Sequence, residues 1–243
     1  MRVAAFAFLL TILILLATTY YLRHVYFFRD PQRISPADRN YLYSPCDGLV
    51  VYVKKVDSGE VYSEKLGRKI HISEIVKLKS DGILKFDEGW LIGIYMSPLD
   101  VHFNYAPQSG RVKAVVYTPA KINYPMVDIW EYIKMTYFRK AVDNFASKYH
   151  LENERNTVVI DVGGNEVVLV EIADKFVNKI DCFVKEGDEL KAGEKISFIR
   201  RGSQVDVLVP ASCFEPLVKK GDRVTGAMTP IFRFLDLNDI SMR

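Results

Sequence analysis

Several things are scarce in this chain. Three cysteines in 243 residues, Cys46, Cys182 and Cys213, are too few and too odd in number for a secreted disulfide framework. A reducing compartment or a single incidental bridge fits them better. The four histidines, His24, His71, His102 and His150, are scattered, with no His-x-x-x-His and no Cys-x-x-Cys spacing, so no metal site is expected. A phosphate-cradling glycine loop and a Gly-x-Ser-x-Gly elbow are both missing. Charge of one sign is also lacking. The 33 Lys and Arg against 30 Asp and Glu leave +3, too small a surplus to suggest nucleic acid as a partner. What is present is apolar: 49% hydrophobic and 26% charged residues suffice for one sizeable core and argue against disorder.

Much of the apolar excess lies at the start. From Val3 to Leu22 there is no charge, and only Thr11, Thr18 and Thr19 dilute the run. Twenty helical residues span about 30 Å, enough to cross a bilayer. A cleaved signal peptide is the competing reading. The length of the run, the lack of a small-x-small cleavage site, and an apparent interfacial belt of Tyr20, Tyr21, Tyr26, Phe27 and Phe28 favour a retained transmembrane anchor over residues 1–24. Arg23, Arg29, Arg33 and Arg39 follow the span and only Arg2 precedes it. The positive-inside bias therefore puts residues 25–243 on the cytoplasmic side of the cell membrane, with a single pass.

Beyond Pro31 short alternating or β-branched runs dominate: Leu49 to Val56, Trp90 to Met96, Arg111 to Thr118, Thr157 to Val162, Glu166 to Ile172, Lys195 to Arg200 and Val205 to Val209. Two internal echoes stand out. Pro45-x-x-Gly48-x-Val50 matches Pro107-x-x-Gly110-x-Val112, and Val184-Lys-Glu-Gly-Asp-Glu-Leu matches Val218-Lys-Lys-Gly-Asp-Arg-Val. Chance likeness of turns is one explanation. A duplicated β motif closing into a compact barrel or sandwich is the other, since pairing two such halves removes exposed edges. Between Met126 and Tyr149, Trp130, Ile133, Tyr137, Ala141 and Phe145 recur at three- or four-residue spacing, which predicts one inserted amphipathic helix. It would cover an open face of the β structure or lie against anionic headgroups. The expected fold is thus mainly β, with one N-terminal transmembrane helix and one amphipathic insertion.

Candidate chemistry rests on few residues. Gly202-Ser203 is the only Gly-Ser step and lies between two apolar β runs; by itself it is equally an ordinary hairpin turn. Asp100-x-His102 follows a predicted strand. In extended chain the i, i+2 spacing turns both side chains to one face, where a carboxylate can hold an imidazole for acid–base work. A buried histidine satisfied by its neighbour is the plainer alternative. Asp47, in Ser44-Pro-Cys-Asp-Gly48, is by default a turn residue.

Taken jointly, these pieces resemble the short, membrane-associated form of the phosphatidylserine decarboxylases. The resemblance runs in order through Phe27-Phe-Arg-Asp-Pro-Gln-Arg33, Ser44-Pro-Cys-Asp-Gly48, Met96-Ser-Pro-Leu-Asp-Val-His102, Glu152-Asn-Glu-Arg-Asn156 and Ile199-Arg-Arg-Gly-Ser-Gln-Val-Asp206, to Pro210. It implies a proenzyme that cuts itself between Gly202 and Ser203 and converts Ser203 into a covalent pyruvoyl cofactor. Fragments 1–202 and 203–243 would remain together as a heterodimer. The implied substrate is an aminophospholipid, phosphatidylserine, decarboxylated to phosphatidylethanolamine at the membrane. An ether-linked archaetidylserine is the alternative.

In this reading the Ser203 hydroxyl attacks the preceding carbonyl, a base takes its proton, and elimination followed by hydrolysis leaves pyruvoyl and ammonia. His102 is the candidate base and later the acid that protonates the product carbon, with Asp100 fixing its orientation. By resemblance only, Asp47 orients the imidazole like the third member of a catalytic triad. One departure stands out. Many longer members have Asp-x-His-x-x-His, whereas Tyr105 occupies the second histidine position here. The segments Glu60 to Gly89 and Lys121 to Tyr149 also look longer than the short form has. A membrane-anchored serine protease would place its serine soon after the span, with a lysine further along. A lipoyl-like adaptor would carry a lysine at a hairpin tip. Neither pattern fits as well.

Overall fold

The computed structural model of the chain describes residues 2–64, 66–78, 84, 86–120, 122–175, 180–200 and 203–235. Helix α1 (Arg2–Tyr21) runs into a π-helical turn over Leu22–Tyr26. Together Val3–Tyr26 make one helix of mean hydropathy 2.3 with none of its apolar window buried by the rest of the protein. A helix apolar all round and packed on nothing is long and apolar enough to cross a membrane.

The domain that follows begins with β1 (Tyr41–Tyr43), β2 (Gly48–Val56), β3 (Glu60–Ser63), β4 (Arg68–His71), α2 (Ile72–Val76) and β5 (Gly89–Met96). It continues with β6 (Phe103–Tyr105), β7 (Gly110–Thr118), α3 (Ile129–Thr136), α4 (Lys148–Glu152), β8 (Arg155–Val162) and β9 (Asn165–Ala173). The last elements are β10 (Ile180–Cys182), β11 (Glu189–Leu190), β12 (Lys195–Ile199), β13 (Ser203–Pro210), β14 (Phe214–Pro216), β15 (Arg223–Val224) and β16 (Pro230–Phe234). The fold is mainly β, as the alternating runs predict, and each of those runs coincides with one of the longer strands.

The eight-stranded sheet has the order β11-β7-β8-β9-β13-β5-β2-β15. Read from its centre, between β9 and β13, it repeats outward: β13-β5-β2-β15 matches β9-β8-β7-β11. The small sheets β1-β16-β14 and β6-β12-β10 match in the same way. The sequence echoes are the covalent trace of this duplication. Val224 pairs with Gly48 and Leu190 with Gly110. The amide of Val50 donates to the Asp222 carbonyl and that of Val112 to the Asp188 carbonyl, each at 2.9 Å. The two glycines are required by close approach. A Cβ at Gly48 would lie 2.3 Å from the Tyr95 carbonyl oxygen, and one at Gly110 2.3 Å from that of Asp161.

Both faces of the large sheet are buried, which is why a strand such as Val167-Val-Leu-Val170 is apolar without alternation. One face carries Ile92, Ile94, Val158, Ile160, Val205 and Val207. The other, with Leu91, Val159, Val168 and Leu208, lies under α2 and under Met126, Met135, Phe145 and Tyr149 of the inserted segment.

That segment corrects the expectation of a single amphipathic helix. Asp128 caps α3 by accepting the amides of Trp130 and Glu131, but the helix stops at Thr136. Arg139 and Ala146 then adopt positive φ values of 54° and 56°. The periodic residues serve different surroundings: Trp130 and Tyr137 are exposed, whereas Phe145 is buried against the rings of Tyr52 and His150. One straight helix cannot turn these residues both outward and inward, and packing overrides the local period.

Gly110→Ala is expected to lower stability by about 1–3 kcal/mol, because the added methyl meets backbone that cannot yield locally. The shift in chemical-denaturation midpoint of the detergent-solubilised protein measures it.

Candidate active site

Ser203 opens β13. It pairs with Met96 at the end of β5 on one side and with Ala173 at the end of β9 on the other, and it is fully buried. Alternation along β13 sends Val205 and Val207 into one core face and so turns the Ser203 side chain the same way. Its Oγ lies 3.1 Å from the Met96 Sδ, a weak acceptor that leaves the hydroxyl poorly engaged. The duplication shows what is particular about this position. In the matching half, Val162 pairs with Asn165 across a tight Gly163-Gly164 turn with φ values of 62° and 91°. Met96 and Ser203 pair in the same way, but their strands are not consecutive, so Ser203 sits where the sister half has a closed hairpin. Gly202, the other side of the expected scissile bond, lies outside the described residues.

His102 stands at the same end of the sheet, since its carbonyl accepts the amide of Ile199 at 3.1 Å. Its ring is fully buried, with the Phe27 ring 4.2 Å away between centroids. Nδ1 lies 3.0 Å from the Asp100 carbonyl oxygen. A carbonyl can only accept, so Nδ1 carries the proton and Nε2 presents its lone pair. Nε2 is buried without a hydrogen-bond partner. Burial, the dominant cause, brings the pKa down to about 3, helped by Arg29 and opposed by the Asp100 carbonyl and Asp47. The imidazole is therefore neutral at physiological pH and available as a base.

The two aspartates are near this site but act differently from the sequence expectation. The chain from Ser97 to Asp100 is a turn, not an extended strand. The Asp100 carboxylate accepts the Ser97 amide at 2.8 Å and hydroxyl at 2.7 Å and pairs with Arg223 at 2.9 Å. It is the backbone carbonyl of Asp100 that orients His102. Asp47 is engaged by Arg33, whose two terminal nitrogens lie 2.5 and 2.7 Å from its oxygens, and by the Gly226 amide at 2.8 Å. It acts on the imidazole through its field, with no direct bond to it.

The model of the phosphatidylserine decarboxylase family matches residues 21–231. The chain is 34% identical over 212 residues to a phosphatidylserine decarboxylase proenzyme of Polynucleobacter asymbioticus, covering 87% of this chain and 78% of the relative. It is 33% identical over 210 residues to a protein of Methanocaldococcus jannaschii named as an archaetidylserine decarboxylase proenzyme, covering 85% and 87%. A protein of Methanothermobacter thermautotrophicus with the same name is 35% identical over 209 residues, covering 86% and 79%. The chain belongs to the phosphatidylserine decarboxylase family.

Within this decarboxylase the structure adds residues to which sequence reasoning gave no role. Phe27 reads as part of an aromatic belt, yet it is buried on His102 and Phe198. Arg33 reads as a topology charge, yet its side chain is nearly buried against Asp47. Tyr105, at the second histidine position, is buried with its hydroxyl unpartnered. The Arg33 guanidinium lies 5.2 Å from its ring centroid, and burial raises the phenol to about 12, so it stays protonated. On β9, Glu171 is fully buried and accepts from Asn104, Ser197 and Asn156; burial pushes its pKa up and these donors oppose the shift. The one sequence signal for these residues is that Phe27, Arg33 and Asn156 fall in the segments carrying the family resemblance.

Arg33→Ala leaves a largely buried carboxylate unpaired and is expected to cost about 3 kcal/mol. In a denaturation double-mutant cycle, adding Asp47→Ala to Arg33→Ala should cost less than the two single changes summed.

Proposed function

We propose that the chain is a self-processing carboxy-lyase that cuts itself between Gly202 and Ser203, acquires a pyruvoyl group from Ser203, and decarboxylates phosphatidylserine to phosphatidylethanolamine. The observations that support this are a buried Ser203 at a strand end, its hydroxyl held only by the Met96 thioether, and a buried, neutral His102 whose Nε2 has no hydrogen-bond partner. The fragments 1–202 and 203–243 form a heterodimer, in which the second supplies β13, β14, β15 and β16. Residues 1–24 form the anchor and residues 25–243 the catalytic unit. Four arginines after the span against one before it support a cytoplasmic domain.

Maturation uses the chain's own groups. His102 Nε2 accepts the Ser203 hydroxyl proton as Oγ attacks the preceding carbonyl, and the amide becomes an ester. Loss of the Ser203 α-proton then expels the ester carboxylate, leaving dehydroalanine at the new terminus. Hydrolysis converts this to pyruvoyl and releases ammonia. The surroundings fit such a group: the hydroxyl that disappears has only a thioether contact, so its loss strands no strong hydrogen-bonding partner. When present, the pyruvoyl ketone with its adjoining amide supplies the electron sink needed for loss of carbon dioxide from an amino acid. His102, held by the Asp100 carbonyl, returns a proton to the product carbon. Asp47, gripped by Arg33, favours a proton on His102 through its field at that step.

Relatives named for phosphatidylserine and for archaetidylserine match at similar identity, which supports an ether-lipid substrate as the second reading. Parallel assays with diacyl and diether serine lipids decide between them by whichever gives the higher kcat/KM.

Denaturing mass spectrometry of purified protein should show two fragments, the smaller with a carbonyl-reactive, blocked N-terminus. Ser203→Ala and His102→Ala should each give one intact chain, and normal cutting in the histidine variant would remove it as the base. The pH profile of processing is a further check. An imidazole with an ordinary pKa of about 6.5 would lose roughly 25-fold in neutral form between neutrality and pH 5. A lowered pKa keeps the imidazole neutral over that range, so the processing rate should stay nearly flat.

A further inference from the structure

Among the described residues, a cleft of about 580 Å³ opens between the end of the membrane helix and the inserted segment. Its volume falls in the range of about 300–1,000 Å³ found for small-molecule sites. Leu22 and Phe27 form one wall, and Val127, Tyr132 and Tyr137 the other, with Tyr95 and Leu99 at the base. We propose that this cleft holds one hydrocarbon tail of the serine-lipid substrate while the headgroup reaches Ser203. The proposal rests on the decarboxylase reading and adds to it the site that grips the lipid.

Three observations fix the occupant. First, one wall of the cleft is the last turn of a helix long and apolar enough to cross a membrane, whose apolar surface nothing else in the protein covers. A tail can enter without crossing water, and Arg23 at the same edge suits a lipid phosphate. Second, the inner end of the cleft is the catalytic end of the sheet. Phe27 lines the cleft, and its ring lies 4.2 Å from that of His102 between centroids. Tyr95 precedes Met96, which contacts Ser203, and Asp174 follows Ala173, which pairs with Ser203. Third, the far wall is tied to that end rather than merely lying near it. The Asp174 carboxylate accepts the Met126 amide at 2.9 Å. Asn153 accepts the Tyr124 amide at 2.7 Å and donates to the Ala173 carbonyl at 2.8 Å. The same segment exposes Trp130 and Phe138, aromatic residues of the kind found at bilayer interfaces.

The first test is photolabelling of processed wild-type protein in phosphatidylcholine vesicles containing phosphatidylserine with a mid-tail diazirine. Label on both residues 19–27 and 125–137, reduced at least fivefold at 125–137 by excess unlabelled phosphatidylserine, is expected. Label confined to residues 3–18, or not displaced by the serine lipid, overturns the proposal. The second test is Val127→Trp, which fills the cleft, and it reads the ratio of kcat/KM for long-chain over dibutanoyl phosphatidylserine. A fall of about tenfold is expected, and an unchanged ratio overturns the assignment. The decarboxylase reading is judged separately, by processing of the wild type and its turnover of the dibutanoyl lipid. Its failure therefore cannot be mistaken for failure of the cleft.

Discussion

The structure depends on a strand held on both edges. β13 lies between β5 and β9, and its eight residues pair with β5 along their whole length. Ser203 is the first of them, so its backbone is fixed by two neighbours. For the proposed attack on its own preceding carbonyl, a serine held this firmly starts with little orientational freedom left to lose. The rest of the site is arranged around that end. His102 is presented by the Ser97–Asp100 turn that follows β5, the other half of the same pair.

The juxtamembrane segment supplies the second constraint. Phe27 packs on His102, Arg29 donates to the Leu99 carbonyl at 2.6 Å, Asp30 meets Lys195 at 2.5 Å and Arg33 grips Asp47. The residues that follow the apolar helix thus build one wall around His102 and Asp47. Burial of the His102 ring, to which Phe27 contributes, is the largest influence on its depressed basicity, and the Arg29 charge adds to it. The apolar helix and the candidate site are thus joined through side chains on a few consecutive residues.

Much of the fold was legible because its signals are local. The longer strands carry alternating or β-branched runs, and the Val-Lys-x-Gly-Asp echoes announce equivalent turns that pair with Gly48 and Gly110 in the same register. Strands of two or three residues, such as β11 and β15, have no period of their own and exist through distant partners. The broken helix over 129–152 had a convincing period, but Phe145 finds its partners on β2 and α4, beyond what spacing encodes. At the site, Ser203 and His102 stood out by residue type. The work of Asp47 did not, because its partners Arg33 and Gly226 lie 14 and 179 residues away in sequence. Asp100 misled for a related reason: it is the peptide carbonyl, common to every residue type, that aligns the imidazole.

The position of β13 has a consequence for the history of each molecule. A chain severed before Ser203 would have its central strand on a 41-residue piece that retains no covalent route back to β5 or β9. An uncut precursor would fold as one polypeptide and close loops within itself, whereas a cut form, once melted, would have to reunite two separate pieces. Maturation would thereby turn a folding equilibrium into a one-way ratchet, and the working enzyme would persist through slow unfolding alone.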